Sequence, residues 1–237
     1  MEESRIAKEL RGIFAPDQKG DSSQDTTASD HKGDVDKYIK FGNGDRVWRV
    51  LAVAGDKALI ITKDIVIDEP YSRGSKEVTW RISGIRAWLN KEFCSFAYFS
   101  KEERARIVKV PVLNYRCWKH GTKDWPSTRD KIFLLSRGEV QGVLQNRHKR
   151  KTAMAGSSIS GKWWLRSSGK CNSAAEVVLA DGSIEGDEQN PPTNPSRSYT
   201  VDIGDPCGVR PALWLKITNE FEPFEITAQA NGANANL

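Results

Sequence analysis

The strongest constraint on the fold is where the β-forming runs fall along the chain. Residues 47–53 (V-W-R-V-L-A-V) are rich in β-branched and aromatic side chains, and residues 58–62 (A-L-I-I-T) repeat that character. The turn residues Ala54, Gly55, Asp56 and Lys57 lie between them, which predicts a β-hairpin. Ile65 and Ile67 would extend its second strand. Near the other end, residues 199–203 and 209–215 read as closing strands. Helical patterns occupy the middle. This order of strands, helices and strands predicts an α+β fold rather than a doubly wound parallel sheet.

The helices announce themselves through their caps. Ser83 precedes a segment in which Ile85, Trp88, Leu89 and Phe93 share one helical face. Ser100 with Glu103, and Ser136 with Glu139, each form the Ser-x-x-Glu pattern in which side chain and backbone satisfy each other's unpaired donors at a helix start. The second of these opens a helix carrying Val140, Val143 and Leu144. Residues 131–135 predict a short buried strand, and 163–167 (W-W-L-R-S) a strand entering the core. If Trp163 and Leu165 face inward, the period of two turns Trp164 and Arg166 the other way. Residues 176–180 and 183–185, joined by Asp181-Gly182, predict a second hairpin.

Three regions follow. Residues 1–37 are expected to hold a short helix (1–14) and a polar linker that has almost nothing to bury. The globular domain is placed at 38–217, and 218–237 is a small, polar tail. Residues 186–198, with three prolines and no periodicity, predict a long loop. A 38% hydrophobic fraction suits a packed domain. No apolar run approaches a membrane span and the first ten residues are charged throughout, so membrane insertion and a signal peptide are not expected. The expected location is cytoplasmic, or outside the cell by a route that needs no signal peptide.

Catalytic constellations are missing from the pattern. Gly42-Asn43-Gly44 precedes a strand rather than a helix and reads as a turn. Ser157, Ser158 and Ser160 lack the spacing of a nucleophile elbow. The histidines are His31, His120 and His148; His120 lies near Trp118 and Trp125 but forms neither a triad nor a metal set. Cys94, Cys117, Cys171 and Cys207 include no Cys-x-x-Cys pair, which argues against zinc; Cys171 and Cys207 would be the pair to join in an oxidising compartment. Asp181, Glu185, Asp187 and Glu188 offer oxygens of the kind calcium takes, but Asp181 belongs to the expected turn and the glycine-anchored order of an EF-hand is missing. No cofactor is expected, and calcium is the ion these residues would admit.

A net charge of +5 arises from 36 basic and 31 acidic residues, a modest excess. The basic run Arg147, His148, Lys149, Arg150 and Lys151 has no interleaved aromatics, so a solvated loop is the better reading and nucleic acid is a disfavoured partner. Arg210 lies between apolar residues beside Pro211; a buried guanidinium needs several acceptors, and a structural clamp on loop carbonyls is its expected role.

Several of these segments together resemble a family of bacterial domains of unknown function with a C-type-lectin-like fold. They are residues 41–51 (F-G-N-G-D-R-V-W-R-V-L), the Trp80 to Phe93 helix pattern, Phe99-Ser100 with Glu103 and Ile107, 130–136 (D-K-I-F-L-L-S), 163–167, and 208–213 (G-V-R-P-A-L). The resemblance implies two main helices packed on small antiparallel sheets, first and last strands together, and a loop-rich face between the W-W-L-R-S and G-V-R-P-A-L strands. It extends to the variable proteins of diversity-generating retroelements, which display ligand-binding residues on this fold, and more distantly to the formylglycine-generating enzymes. The Glu-Pro-Asn and Trp-Asn-Asp motifs of calcium-dependent sugar binders are missing, and Cys207 stands without the close second cysteine of those oxidases.

The function this implies is a non-catalytic module that binds a protein or small ligand. Its expected contacts are Trp118, Trp125, Arg166, Arg197 and Tyr199, with Trp163 and Arg210 as structural residues. Two alternatives are carried: a structural or attachment subunit of a phage-like or injection-type assembly, and an enzyme of unrecognised type using His120 with Asp124 or Cys117.

Overall fold

In the computed structural model the described residues are 31–74, 78–114, 127–156, 161–185 and 198–226. Thirteen strands are described: β1 (Tyr38–Lys40), β2 (Val47–Ala54), β3 (Lys57–Thr62), β4 (Ile67–Pro70), β5 (Ile107–Val108), β6 (Val110–Val112), β7 (Thr128–Asp130), β8 (Ile132–Phe133), β9 (Trp163–Ser168), β10 (Ala174–Val178), β11 (Thr200–Asp202), β12 (Pro206–Val209) and β13 (Ala212–Lys216). The helices are α1 (Gly84–Asn90), α2 (Lys101–Arg106), α3 (Arg137–Val143) and α4 (Arg147–Arg150).

The architecture is α+β. The first sheet runs β1-β2-β3-β13-β5, with β8 also on β13, and the second runs β11-β10-β9-β12-β4. All neighbours are antiparallel except β9 and β12, which run parallel. Strands β6 and β7 form a separate antiparallel pair. The predicted 47–62 hairpin is present, closed through Gly55-Asp56 and bulged between Val50 and Ala52. Its apolar face is completed by β13, which places Leu213 opposite Ile60 and Leu215 opposite Ala58.

Two segments pass from one sheet to the other, and here the structure corrects the sequence reading. Ile65 and Ile67 do not extend β3. Ile65 makes an isolated bridge to Met154, and Ile67 begins β4 in the second sheet. Residues 209–215 are likewise not one strand. Val209 closes β12, Ala212 opens β13 in the other sheet, and Arg210-Pro211 is the crossing. Proline has no N–H for a ladder, so a strand breaks there readily. The two crossings lie side by side, because β4 pairs β12 and β3 pairs β13, and the Thr62 N–H bonds the Pro211 carbonyl at 3.0 Å. The approach is close enough that a Cβ on Gly208 would lie 2.6 Å from Ile65 and 2.7 Å from the Lys162 carbonyl.

The helix caps form as read. Ser83 accepts from the Arg86 N–H, and both Ser-x-x-Glu boxes are complete, Ser100 with Glu103 and Ser136 with Glu139. Helix α1 ends at Asn90, whose amide bonds the Ile132 carbonyl (2.8 Å) and accepts from the Lys131 N–H (2.9 Å), so Phe93 reaches the core from beyond the helix. The second predicted hairpin is replaced by a tight turn. Leu179 bonds the Ser183 carbonyl at 3.0 Å, while β10 takes β9 and β11 as its partners. Gly182 holds φ +82 there, with the Arg147 carbonyl where a Cβ would stand.

Tryptophan dominates the core. Trp48, Trp80, Trp163 and Trp164 are buried, and each indole N–H is satisfied: by the Phe41, Arg150 and Glu69 carbonyls for Trp48, Trp163 and Trp164, and by the Asp130 carboxylate for Trp80. Large rings fill volume without leaving an orphaned donor in this way. Trp164 and Arg166 do not face solvent as strand alternation suggested; β9 is covered on both faces. Ordered structure also extends on both sides of residues 38–217. Asp36 bonds the Val50 carbonyl through its N–H, and Phe224 exchanges backbone bonds with Tyr38. Among the described residues no helix is long and apolar enough to cross a membrane.

Candidate functional site

The charged residues of greatest interest lie where β9, β10 and the start of α3 meet. Arg166 was expected on an open recognition face; instead it is 4% exposed and locked to Glu139. The pair is bidentate: Nη1 donates to Glu139 Oε2, and Nη2 to Oε1 at 2.6 Å. Arg166 also donates through Nη1 to the Leu134 carbonyl (2.9 Å) and through Nη2 and Nε to the Leu113 carbonyl (3.1 and 3.3 Å). The fork geometry of guanidinium against carboxylate, completed by carbonyls, is what makes so buried a charge tolerable. Sequence alternation missed this because it assigns a face to each residue without knowing whether that face is covered.

Glu139 is held from its own helix as well. Its Oε2 accepts the Ser136 N–H at 2.8 Å as the return bond of the capping box. Two residues earlier, Arg137 bonds the Ser167 hydroxyl through its N–H (2.9 Å) and points its guanidinium at β10, with Nη1 3.1 Å from Glu176 and 3.8 Å from Glu185. Tyr71 donates to the Arg166 carbonyl at 3.2 Å, and burial pushes its phenol well above the ordinary range. Two ion pairs, Arg166–Glu139 and Arg137–Glu176, are thus both built on the first turn of α3.

This network borders the start of each of two long connections. Leu113, which accepts from Arg166, is followed after Asn114 by residues 115–126; Glu185, which meets Arg137, is followed by 186–197. Trp118, Trp125 and Arg197 fall in these two stretches and lie outside the described residues, as do Cys117, His120, Asp124, Asp187 and Glu188. Residues 1–14 and 157–160 are outside them too. Tyr199 is described. It is half-buried against the core, and its carbonyl accepts the Val177 N–H at 3.0 Å. Arg137 and Glu176 were not singled out as site residues from sequence, and Glu139 was read only as the second half of a capping box. A signal was there, in an acidic residue within the apolar run A-A-E-V-V and an arginine within W-W-L-R, since a charge in such a run needs a partner; the partners, Arg137 and Glu139, lie at the start of α3 rather than in the runs.

Asp181 and Glu185, two of the acidic residues considered for calcium, are both engaged by arginine. Asp181 accepts from the Ser183 N–H (3.0 Å) and hydroxyl and pairs with Arg147 at 3.3 Å. Burial alone would raise its carboxyl, but the Ser183 bonds and Arg147 overcome this and hold it at about 2. No group of three or more candidate metal ligands occurs among the described residues.

The basic run is divided between interior and surface. Arg150 is buried and donates to the Leu144, Gln145 and Gly182 carbonyls, Arg147 meets Asp181, and Lys149 meets Asp36; His148 and Lys151 are exposed. Among the described cysteines, Cys94, Cys171 and Cys207 are free thiols, so Cys171 and Cys207 are not joined. Arg210 donates through Nε to the Thr62 carbonyl at 2.7 Å and lies over the Trp163 ring, 5.1 Å from its centroid.

These features define an α+β domain in which a buried ionic network underlies the starts of two long connections. The chain belongs to the family described as domain of unknown function (DUF6273), whose model matches residues 55–217, about two thirds of the chain. No curated protein and no solved structure gives a significant match.

Proposed function

We propose that this protein is a non-catalytic binding module of C-type-lectin-like architecture, and that residues 115–126 and 186–197, with Tyr199, supply its recognition face. The observation that carries the reading is the shared anchorage of the two connections. Arg166 holds Leu113, two residues before one, Arg137 holds Glu185, immediately before the other, and Glu139 and Glu176 fix the two arginines. Long connections on a rigid base are where folds place recognition. The network itself spends its charges internally, which favours scaffolding over acid–base work: Glu139 uses both oxygens on Arg166 and its own cap. The contacts are then Trp118, Trp125, Arg197 and Tyr199, with Arg166 moved from ligand contact to support. The partner class is a protein or small ligand met by aromatic and guanidinium side chains.

The test is a panel of peptides, glycans and nucleotides scored against the full chain and against Trp118→Ala, Trp125→Ala and Arg197→Ala. The expected result is binding that these variants weaken at unchanged melting temperature. Binding that all three retain refutes this face, and turnover of a panel member refutes the non-catalytic reading.

A further inference from the structure

A cavity of about 190 Å³ lies at one end of the first sheet, lined by His31, Asp56, Ile217, Thr218, Asn219 and Phe221. Three segments build it: the β2–β3 turn, the chain that leaves β13, and the chain before β1. Backbone bonds fix the frame. The Ile217 N–H donates to the Asp56 carbonyl at 2.7 Å, which ties the chain after β13 to the hairpin turn. The Phe221 N–H donates to the Thr218 carbonyl at 2.9 Å, which folds that chain into a turn of its own. His31 then packs edge-on against the Phe221 ring, with centroids 5.4 Å apart and planes at 89°.

The polar part of the lining accepts hydrogen bonds. Asp56 brings a carboxylate on a half-exposed side chain, and its nearest cation, Lys57, stands 3.9 Å away and does not line the cavity. His31 Nδ1 lies 2.8 Å from Asp34 Oδ2. Burial would raise the Asp34 carboxyl, but the bonds from His31 and Lys37 overcome this and hold it low. A carboxylate only accepts, so the bond assigns the proton of the neutral imidazole to Nδ1 and leaves Nε2 as an acceptor. Asp34 is not part of the lining, so Nε2 is the His31 nitrogen left for a ligand. Asn219 adds an exposed amide, and Ile217 and the buried Phe221 supply the apolar wall. Neither lysine nor arginine lines the cavity.

We infer that this cavity binds a primary alkylammonium group, with the charged head on Asp56 and His31 and the hydrocarbon against Ile217 and Phe221. An ammonium has three donors and no acceptor, which matches a lining that accepts and carries negative charge. An anion would meet the Asp56 carboxylate, and an alcohol brings one donor and no charge. The volume holds about six water molecules at ~30 Å³ each, so the bound part has about six to ten non-hydrogen atoms. A free small amine and a lysine side chain of a partner protein both carry this chemistry. None of Arg137, Glu139, Arg166 and Glu176 lines the cavity, so the inference does not rest on the recognition face proposed above.

The test titrates the full, isotope-labelled chain with pentylamine, pentanol and pentanoate, which share a hydrocarbon and differ in head group, and follows the backbone amide resonances. The expected result is saturable shifts at Asp56 and residues 217–221 with pentylamine, at the roughly millimolar Kd of so small a ligand. Pentanol and pentanoate should bind at least about fivefold more weakly, as loss of a charge-assisted bond predicts; this comparison needs no variant. Asp56→Asn keeps a residue suited to the turn and should weaken pentylamine by a similar factor. A second arm uses lysine capped at both ends: tighter binding than pentylamine assigns the site to a partner's lysine, and weaker binding assigns it to a free amine. Equal binding of the three head groups marks partition of hydrocarbon only and overturns the inference. Shifts confined to other residues, no shifts, or a pentylamine affinity unchanged in Asp56→Asn overturn it too.

Discussion

Replacing Glu139 by Gln isolates the worth of the buried ion pair. Glutamine keeps the shape and can still make the return bond of the capping box, so helix α3 keeps its start. What changes is charge: Arg166, 4% exposed, loses the carboxylate that faces both its Nη groups. Removing one partner of so buried a pair costs about 3–5 kcal/mol, because the remaining charge stays uncompensated. With a urea m-value of about 2–3 kcal/mol/M, the unfolding midpoint should fall by about 1–2.5 M at unchanged slope. The double variant Glu139→Leu/Arg166→Met removes both charges and should be far less damaged than the sum of the single variants. It should still fall short of the parent, because the Leu113 and Leu134 carbonyls lose their donor, each worth about 1–3 kcal/mol. The assay is equilibrium urea unfolding followed by tryptophan fluorescence, which the buried Trp163 and Trp164 make sensitive to this region. A loss below about 1 kcal/mol in Glu139→Gln would mean that the pair behaves like an exposed one, and would refute the claim that it supports the connection that follows Leu113.

Acid should weaken the Asp181 turn. The carboxyl is held at about 2 in the folded chain against 3.8 ordinarily, so its contribution is complete above pH 4 and is lost as pH falls toward 2; Asp181→Asn should flatten that part of the pH–stability profile, and an unchanged profile would contradict it. Gly182→Ala should destabilise by more than 1 kcal/mol, since φ is +82 and the Arg147 carbonyl occupies the Cβ position; a melting temperature equal to the parent's would count against this turn geometry. Ser100→Ala and Ser136→Ala should each cost about 1 kcal/mol through loss of a complete capping box, read by chemical denaturation. Cys171, exposed, should react rapidly with a disulfide reagent at pH 8, whereas Cys207, pushed up to about 12 chiefly by burial, should react only after unfolding; equal rates would contradict its placement in β12.

The sequence by itself determined what depends on neighbours a few residues away. Ser83, Ser100 and Ser136 marked three helix starts, because a cap is a contact between a side chain and the backbone three residues on. Gly55-Asp56 closed the first hairpin and the flanking runs fixed its strands, since turn chemistry and alternation are both local. The α+β class followed from their order. Only the tertiary structure decided where distant segments meet. Residues 209–215 looked like one strand, and it took the second sheet to split them at Arg210-Pro211, because which ladder a residue joins depends on partners far along the chain. The Asp181-Gly182 turn was read correctly, yet its second strand was not formed: β9 and β11 had already taken both edges of β10. Arg166 was assigned outward by alternation, and its burial against Glu139, 27 residues away, followed from a covered second face that no period of two encodes. Arg210 was read as a clamp on several carbonyls. It holds that of Thr62, and its Nη1 is buried without a hydrogen-bond partner, which became visible only when the crossing at Arg210-Pro211 was seen.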